Sequence, residues 1–169
     1  MRKLRGMLAL LLCTALVAAM MVAPSSAAVL YFTSLNDSLE QLSTETMPLW
    51  SGGTLYVPLS LFSPSSNTTG VDLGLNISYS AASNTATLFN LRKMLVFDLN
   101  KGTCYSDLTG ETFSGRAISR NGRVYVPVGR VCEFFGFSWS YNSIPTVEDG
   151  YLVRVKNDGV VLDDNKFLD

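Results

Sequence analysis

Histidine is absent from all 169 residues, and that removes most of the ways a small protein does chemistry. Ser-His-Asp and Cys-His nucleophilic systems need an imidazole base. The usual zinc sites need imidazoles or a set of four thiolates, and the chain has only three cysteines. Among the 14 carboxylates, Glu148-Asp149 and Asp163-Asp164 are adjacent pairs, and Glu111 is a further candidate. A glycosidase needs two carboxyls facing each other across a cleft. Sequence adjacency does not supply that, so these acids are expected in turns and a tail. Asp98-Leu99-Asn100-Lys101-Gly102 begins like a calcium loop but lacks the third ligand pair and the distal glutamate. It is expected to be a strand end followed by a turn. Gly52-Gly53 and Asn121-Gly122 precede no helix N-terminus carrying a lysine, so they read as hairpin glycines and not phosphate cradles. The sequence therefore assigns no catalytic residue, no cofactor and no metal ligand.

Two residue classes remain with something to contribute. Cys104 and Cys132 are the cysteines beyond the N-terminal segment, and in an exported protein two cysteines can form a disulfide. Cys132 also falls on the expected buried face of a helix, where a free thiol behaves as a small hydrophobe. Both readings stand at this point. Trp50, Tyr56, Tyr125, Trp139 and Tyr141 are aromatic rings of the kind that stack on sugars. Trp139 and Tyr141 lie on the apolar side of an alternating segment and are expected in the core. Trp50, Tyr56 and Tyr125 sit near turns or opposite a valine face, and are the candidate contacts to a glycan or a protein partner.

The N-terminal segment places the chain. Arg2, Lys3 and Arg5 precede an uncharged apolar run over residues 7–22, and Pro24-Ser25-Ser26-Ala27-Ala28 supplies small residues for cleavage. Residues 1–27 are expected to be a signal peptide. Removing them takes away three cations and no acid, so a formal charge of −1 becomes −4. That balance argues against a nucleic-acid partner, and no later segment is apolar enough for a membrane span.

These residues need elements to position them, and the elements come in two sets. Gly52-Gly53-Thr54-Leu55-Tyr56-Val57-Pro58-Leu59 returns as Asn121-Gly122-Arg123-Val124-Tyr125-Val126-Pro127-Val128. Each phrase is followed by a glycine opening an alternating segment, Gly74-Leu75-Asn76-Ile77-Ser78-Tyr79 and Gly136-Phe137-Ser138-Trp139-Ser140-Tyr141. Such a repeat predicts one folding unit used twice. In the second copy, Asn121-Gly122 between extended runs predicts a hairpin. Val128, Val131, Cys132 and Phe135 share one helical stripe, and Gly136 suits the helix C-terminus. The segment from Tyr151 to Lys156 alternates as a last strand. In the first copy Pro64 and the polar run over residues 65–70 reduce the helix to a short turn plus an exposed loop. The expected fold class is α+β: two tandem small modules, each an antiparallel sheet packed on one short helix. Module 1 spans residues 28–91, module 2 spans 92–158, and 159–169 form a solvated tail. Units of about 60 residues are marginal alone, so the two are expected to pack together.

The phrase from Asn121 to Pro127, a short helix, Gly136, the alternating run to Tyr141 and a final strand resemble the copper amine oxidase N-terminal-like domain. That family is a small α+β stalk module found, often in tandem, in exported proteins of Gram-positive bacteria. The resemblance covers nearly all of the chain after residue 27 when the first copy is counted, and is closer in the second. It implies a sheet wrapped on one helix and no catalytic role for the module. The oxidases that lend the name use histidine-bound copper, which this chain cannot provide. Where the family has proline, an aliphatic residue and arginine, the third positions here are Ser60 and Gly129, with Arg130 one place late. The expected function is a non-catalytic exported structural or binding protein of the bacterial cell envelope, contacting cell-wall polymer or another envelope protein. The alternatives are a small secreted hydrolase using carboxylates such as Glu111 or Glu148, and a ligand-binding or inhibitor protein acting through the loop at residues 64–70.

Overall fold

The computed structural model describes residues 29–158 and 160. The expected signal peptide and all but Val160 of residues 159–169 lie outside the described residues. In chain order, β1 (Leu30–Leu35) turns into the short β2 (Ser38–Leu39), and a loop leads to the hairpin β3 (Leu49–Ser51) and β4 (Thr54–Pro58). A single 3-10 turn, Leu59–Phe62, follows. The chain then runs as a meander through β5 (Asn76–Ser80), β6 (Thr85–Phe89), β7 (Met94–Asp98), β8 (Thr103–Ser106) and β9 (Thr112–Phe113). A second hairpin, β10 (Ile118–Arg120) and β11 (Arg123–Pro127), enters helix α1 (Val128–Phe135), and β12 (Ser138–Ser143) and β13 (Gly150–Lys156) complete the described chain.

Local signals formed the expected elements. The two hairpins turn on Gly52-Gly53 and Asn121-Gly122, each pair with positive φ at both residues (56° and 76°; 51° and 72°). That is the turn whose twist matches paired strands, and glycine and asparagine tolerate it best. Helix α1 buries Val128, Val131 and Cys132 along its stripe. It stops at Gly136, whose φ of 84° lets its own N–H and that of Phe137 both reach the Cys132 carbonyl, at 2.8 and 2.9 Å.

The expected α+β architecture of two modules, each a sheet on its own helix, does not form. The described residues hold thirteen strands in three sheets and one α-helix, so the fold is mainly β. In the first copy the helical segment closes after four residues, because Ser63 is extended and the polar loop beyond Pro64 follows. The sheets also mix the copies. One has the order β12-β13-β1-β2, the next β10-β11-β4-β3, and the third β5-β6-β7-β8-β9. The opening strand β1 is thus in the sheet of the last hairpin, and β7 is in the sheet of β5 and β6.

At the centre, the two Tyr-Val-Pro strands lie against each other. β4 and β11 are antiparallel, with Val57 opposite Val126, Tyr56 opposite Pro127 and Pro58 opposite Tyr125. Val57 and Val126 are fully buried in one continuous core that also takes Leu35 and Val155 from the first sheet, Leu88 and Phe97 from the third, and Val131 from α1. A core shared by all three sheets cannot be divided at residue 91. Separately produced residues 29–91 and 92–160 are therefore expected to lack dispersed amide resonances. The intact chain is expected to unfold in one transition, coincident by fluorescence and circular dichroism. A folded spectrum from either half alone would contradict the shared core.

Candidate functional site

The richest cluster of side chains is aromatic. Tyr31 of β1 stands directly opposite Tyr151 of β13, with which it pairs in parallel register. Tyr141 of β12 faces Val153, one step along β13. The Tyr141 and Tyr151 rings stack at 5.0 Å with 7° between their planes, and Tyr31 stacks on Tyr151 at 6.0 Å. Trp50 of β3 meets Tyr141 edge-on at 5.4 Å and 83°, so the cluster bridges two sheets. Burial, and then its neighbours Tyr141 and Tyr151, raise the Tyr31 phenol above its ordinary pKa. Trp50 remains 43% exposed.

Trp139, expected in the core, is instead 40% exposed. It lies on β12, an outermost strand, so only one side of its ring is covered. That side rests on α1 at Gly129, where a Cβ would come 3.4 Å from Cζ2 of the indole. At this departure from the family pattern the indole packs directly on the helix backbone. Arg130, the next residue, holds the chain ahead of β10. Its Nε donates to the Ser114 carbonyl at 3.0 Å and Nη2 to Ser114 Oγ at 2.7 Å, and Nη1 pairs with Glu133 at 2.8 Å.

Tyr56 and Tyr125 are not the open rings expected. They are 5% and 1% exposed. The loop at residues 40–48 covers Tyr125, while Tyr56 sits beside residues of the segment 102–116. Tyr125 Oη donates to the Glu45 carbonyl, and Arg123 pairs with the Glu45 carboxylate at 2.8 Å. Tyr56 lies under an open groove of about 620 Å3 rimmed by Ser51, Thr112 and Arg116, but offers it almost no surface. Of the three candidate contacts, Trp50 alone has a ring face available.

The other expectations separate clearly. Glu111 opens onto a groove of about 450 Å3 shared with Arg92, Lys93, Arg130 and Glu133, whereas Glu148 lies in the turn between β12 and β13. The structure does not bring the two carboxylates together. Asp98 caps its turn: Oδ1 accepts the N–H groups of Asn100 (3.0 Å) and Lys101 (2.9 Å), and Oδ2 pairs with the Lys101 ammonium. The Lys101 N–H bond is the chief cause of its lowered pKa. No cluster of three or more metal-ligating side chains occurs among the described residues. The loop at residues 64–70 is hydrogen-bonded to itself and its neighbours. Asn67 reaches the Leu61 and Val71 carbonyls and accepts from Gly70 N–H, and Thr68 donates twice to Glu40. The cleft beside it holds only about 50 Å3, against ~300–1,000 Å3 for ordinary ligand pockets.

With this geometry in hand, the family model of the copper amine oxidase N-terminal domain matches residues 36–147, more than half of the chain. The chain belongs to the copper amine oxidase N-terminal domain family. In those oxidases this domain is non-catalytic. The match runs as one unit across both Tyr-Val-Pro phrases, so the domain of the family takes in both copies. No curated protein and no solved structure matches the chain.

Within this domain the cysteines are free. Cys104 on β8 and Cys132 on α1 are 1% and 0% exposed, and the alternative of a disulfide is not realised. Each thiol is packed in the apolar core, and burial pushes Cys104 up to about 11 and Cys132 to about 12, against 9.0 in a free thiol. Above about pH 9, up to about 11 for Cys104 and about 12 for Cys132, the unfolded chain gives up protons that the folded chain keeps, so stability falls as pH rises through that window. Below pH 9 these groups have no effect. The loss is expected to reach about 1 kcal/mol per thiol at pH 10. Urea unfolding at pH 8 and pH 10 reads it, and Cys104→Ala should shrink the difference between the two pH values. An unchanged difference in that variant would contradict the burial of the Cys104 thiol.

Proposed function

We propose that this protein is a non-catalytic structural and binding component of the cell envelope, exported by its N-terminal segment, that contacts cell-wall polymer through an aromatic face. The observation carrying this reading is the ring cluster. Trp50, seated edge-on against the Tyr141–Tyr151–Tyr31 row, is held rigidly by packing yet leaves much of its surface in water. Trp139, two residues from Tyr141 on the same side of β12, is braced against Gly129 in the same way. Rigid rings with one open face suit the apolar side of a sugar, because binding them costs little conformational entropy. Membership of a non-catalytic domain family supports the structural half of the proposal.

The test is retention of the purified protein on insoluble peptidoglycan and on wall polysaccharide. Trp50→Ala is expected to weaken retention by about threefold to tenfold, since one ring contact contributes about 0.5–1.5 kcal/mol. Tyr125→Phe, which loses the bond to Glu45 but exposes nothing, should bind as the parent does. Equal retention of the parent and Trp50→Ala would remove the aromatic face from the proposal. Release of soluble sugar by the pure protein, abolished in Glu111→Gln or Glu148→Gln, would replace it with the hydrolase reading.

A further inference from the structure

Three sheets have six outer strands, and four of these are too short to recruit another chain. β2 and β9 are two residues long, and β3 and β10 are three. The exceptions are β5, with five residues, and β12, with six, each paired on one side only. They are also the two alternating segments of the repeat, Asn76-Ile77-Ser78-Tyr79-Ser80 and Ser138-Trp139-Ser140-Tyr141-Asn142-Ser143. Soluble proteins protect long edges with lysine, proline, bulges or a covering element. Neither strand contains a charged residue or a proline. Their backbones form no hydrogen bond to any described residue outside their own sheets. Tyr79 and Trp139 stand 48% and 40% exposed.

We propose that β5 of one copy of this protein pairs with β12 of a second copy, joining the third sheet of one to the first sheet of the next. The chain carries both halves of the contact. Pairing would set the Ile77 and Tyr79 row beside Trp139 and Tyr141. Aromatic–aromatic and aromatic–β-branched cross-strand neighbours are stabilising pairs. The other face would align serines and asparagines, with no charge to desolvate. Because the two edges are different surfaces of one molecule, the contact is head-to-tail and leaves a free edge at each end, so assembly can continue past the dimer. Trp50, the ring whose loss tests sugar binding, lies on β3 and outside this contact, so either proposal can fail alone.

Sedimentation velocity on the purified protein tests this, from low micromolar to several hundred micromolar. The mean mass is expected to rise with concentration and to pass that of a dimer. Ser78 and Asn142 are exposed residues of the two edges. Ser78→Lys and Asn142→Lys should each move association to concentrations at least about tenfold higher, with an unchanged circular dichroism spectrum. Mixing Ser78→Lys with Asn142→Lys should give a dimer that does not extend, because the unaltered β12 of the first can pair with the unaltered β5 of the second. Ser83→Lys, in the turn between β5 and β6, controls for net charge and should associate as the parent does. A monomer at every concentration would overturn the proposal. So would association blocked by Ser78→Lys and untouched by Asn142→Lys, which would mean β5 pairing with itself.

Discussion

The fold depends on the antiparallel contact between the two Tyr-Val-Pro strands. With Val57 facing Val126 at the middle of the β4–β11 ladder, the two hairpins run antiparallel, and each leaves the sheet at a proline, Pro58 at one end of the ladder and Pro127 at the other. Proline suits that exit, since it lacks the N–H that a further ladder position would need and its φ leads into a helical turn. Everything after the proline is then forced onto one side or the other of the central sheet. The 3-10 turn takes the chain to β5 and β6, and α1 takes it to β12 and β13.

That placement explains why the copies exchange strands. The turn from β6 to β7 occupies residues 90–93, closed by Asn90 N–H to the Lys93 carbonyl at 2.9 Å and by two backbone N–H groups on Asn90 Oδ1. So short a connection leaves β7 no place except antiparallel beside β6. The second unit's opening strand is thereby drawn into the first unit's sheet. The last hairpin accepts β1 in its place. A strand arriving from the other end of the chain is free of the hairpin constraint, and β1 pairs with β13 in parallel. The repeat is symmetric in its hairpins and asymmetric in what closes each sheet.

The same reasoning marks what the amino-acid order could disclose. Asn121-Gly122, the Val128 to Phe135 stripe and Gly136 act over a few residues, and each formed the element expected. Period-2 alternation says which side of a strand is apolar, but not what covers either side. Tyr56 and Tyr125 were expected to be open because they oppose the valines, yet a loop tied down through Glu45 covers Tyr125 and the segment ahead of β10 lies beside Tyr56. Trp139 was expected to be buried because it alternates inward, yet its strand ends a sheet. Both errors concern partners far away in sequence, as does the division into modules. The free thiols follow the local signal, since Cys132 lies on the apolar stripe of α1. For the candidate site, the exposure of Trp50 was legible from its place beside a turn. Its tyrosine support from β1, β12 and β13 was not, because those strands meet only once the exchange has occurred.

The parallel pairing of β1 and β13 also bears on how the domain resists force. The described chain enters at Leu30, opposite Gly150, and leaves β13 beyond Lys156, at the far end of the same strand pair. A pull applied to the two ends therefore drags the strands past each other along their length. It loads six register pairs from Leu30–Gly150 to Leu35–Val155 together, whereas a hairpin pulled at its open end yields one bond at a time. Resistance to force is set by the barrier to unfolding rather than by overall stability. Bonds that must break together raise that barrier. The exchange that brings β1 to β13 thus gives the domain a clamp between its two ends, built from strands that belong to different copies of the repeat.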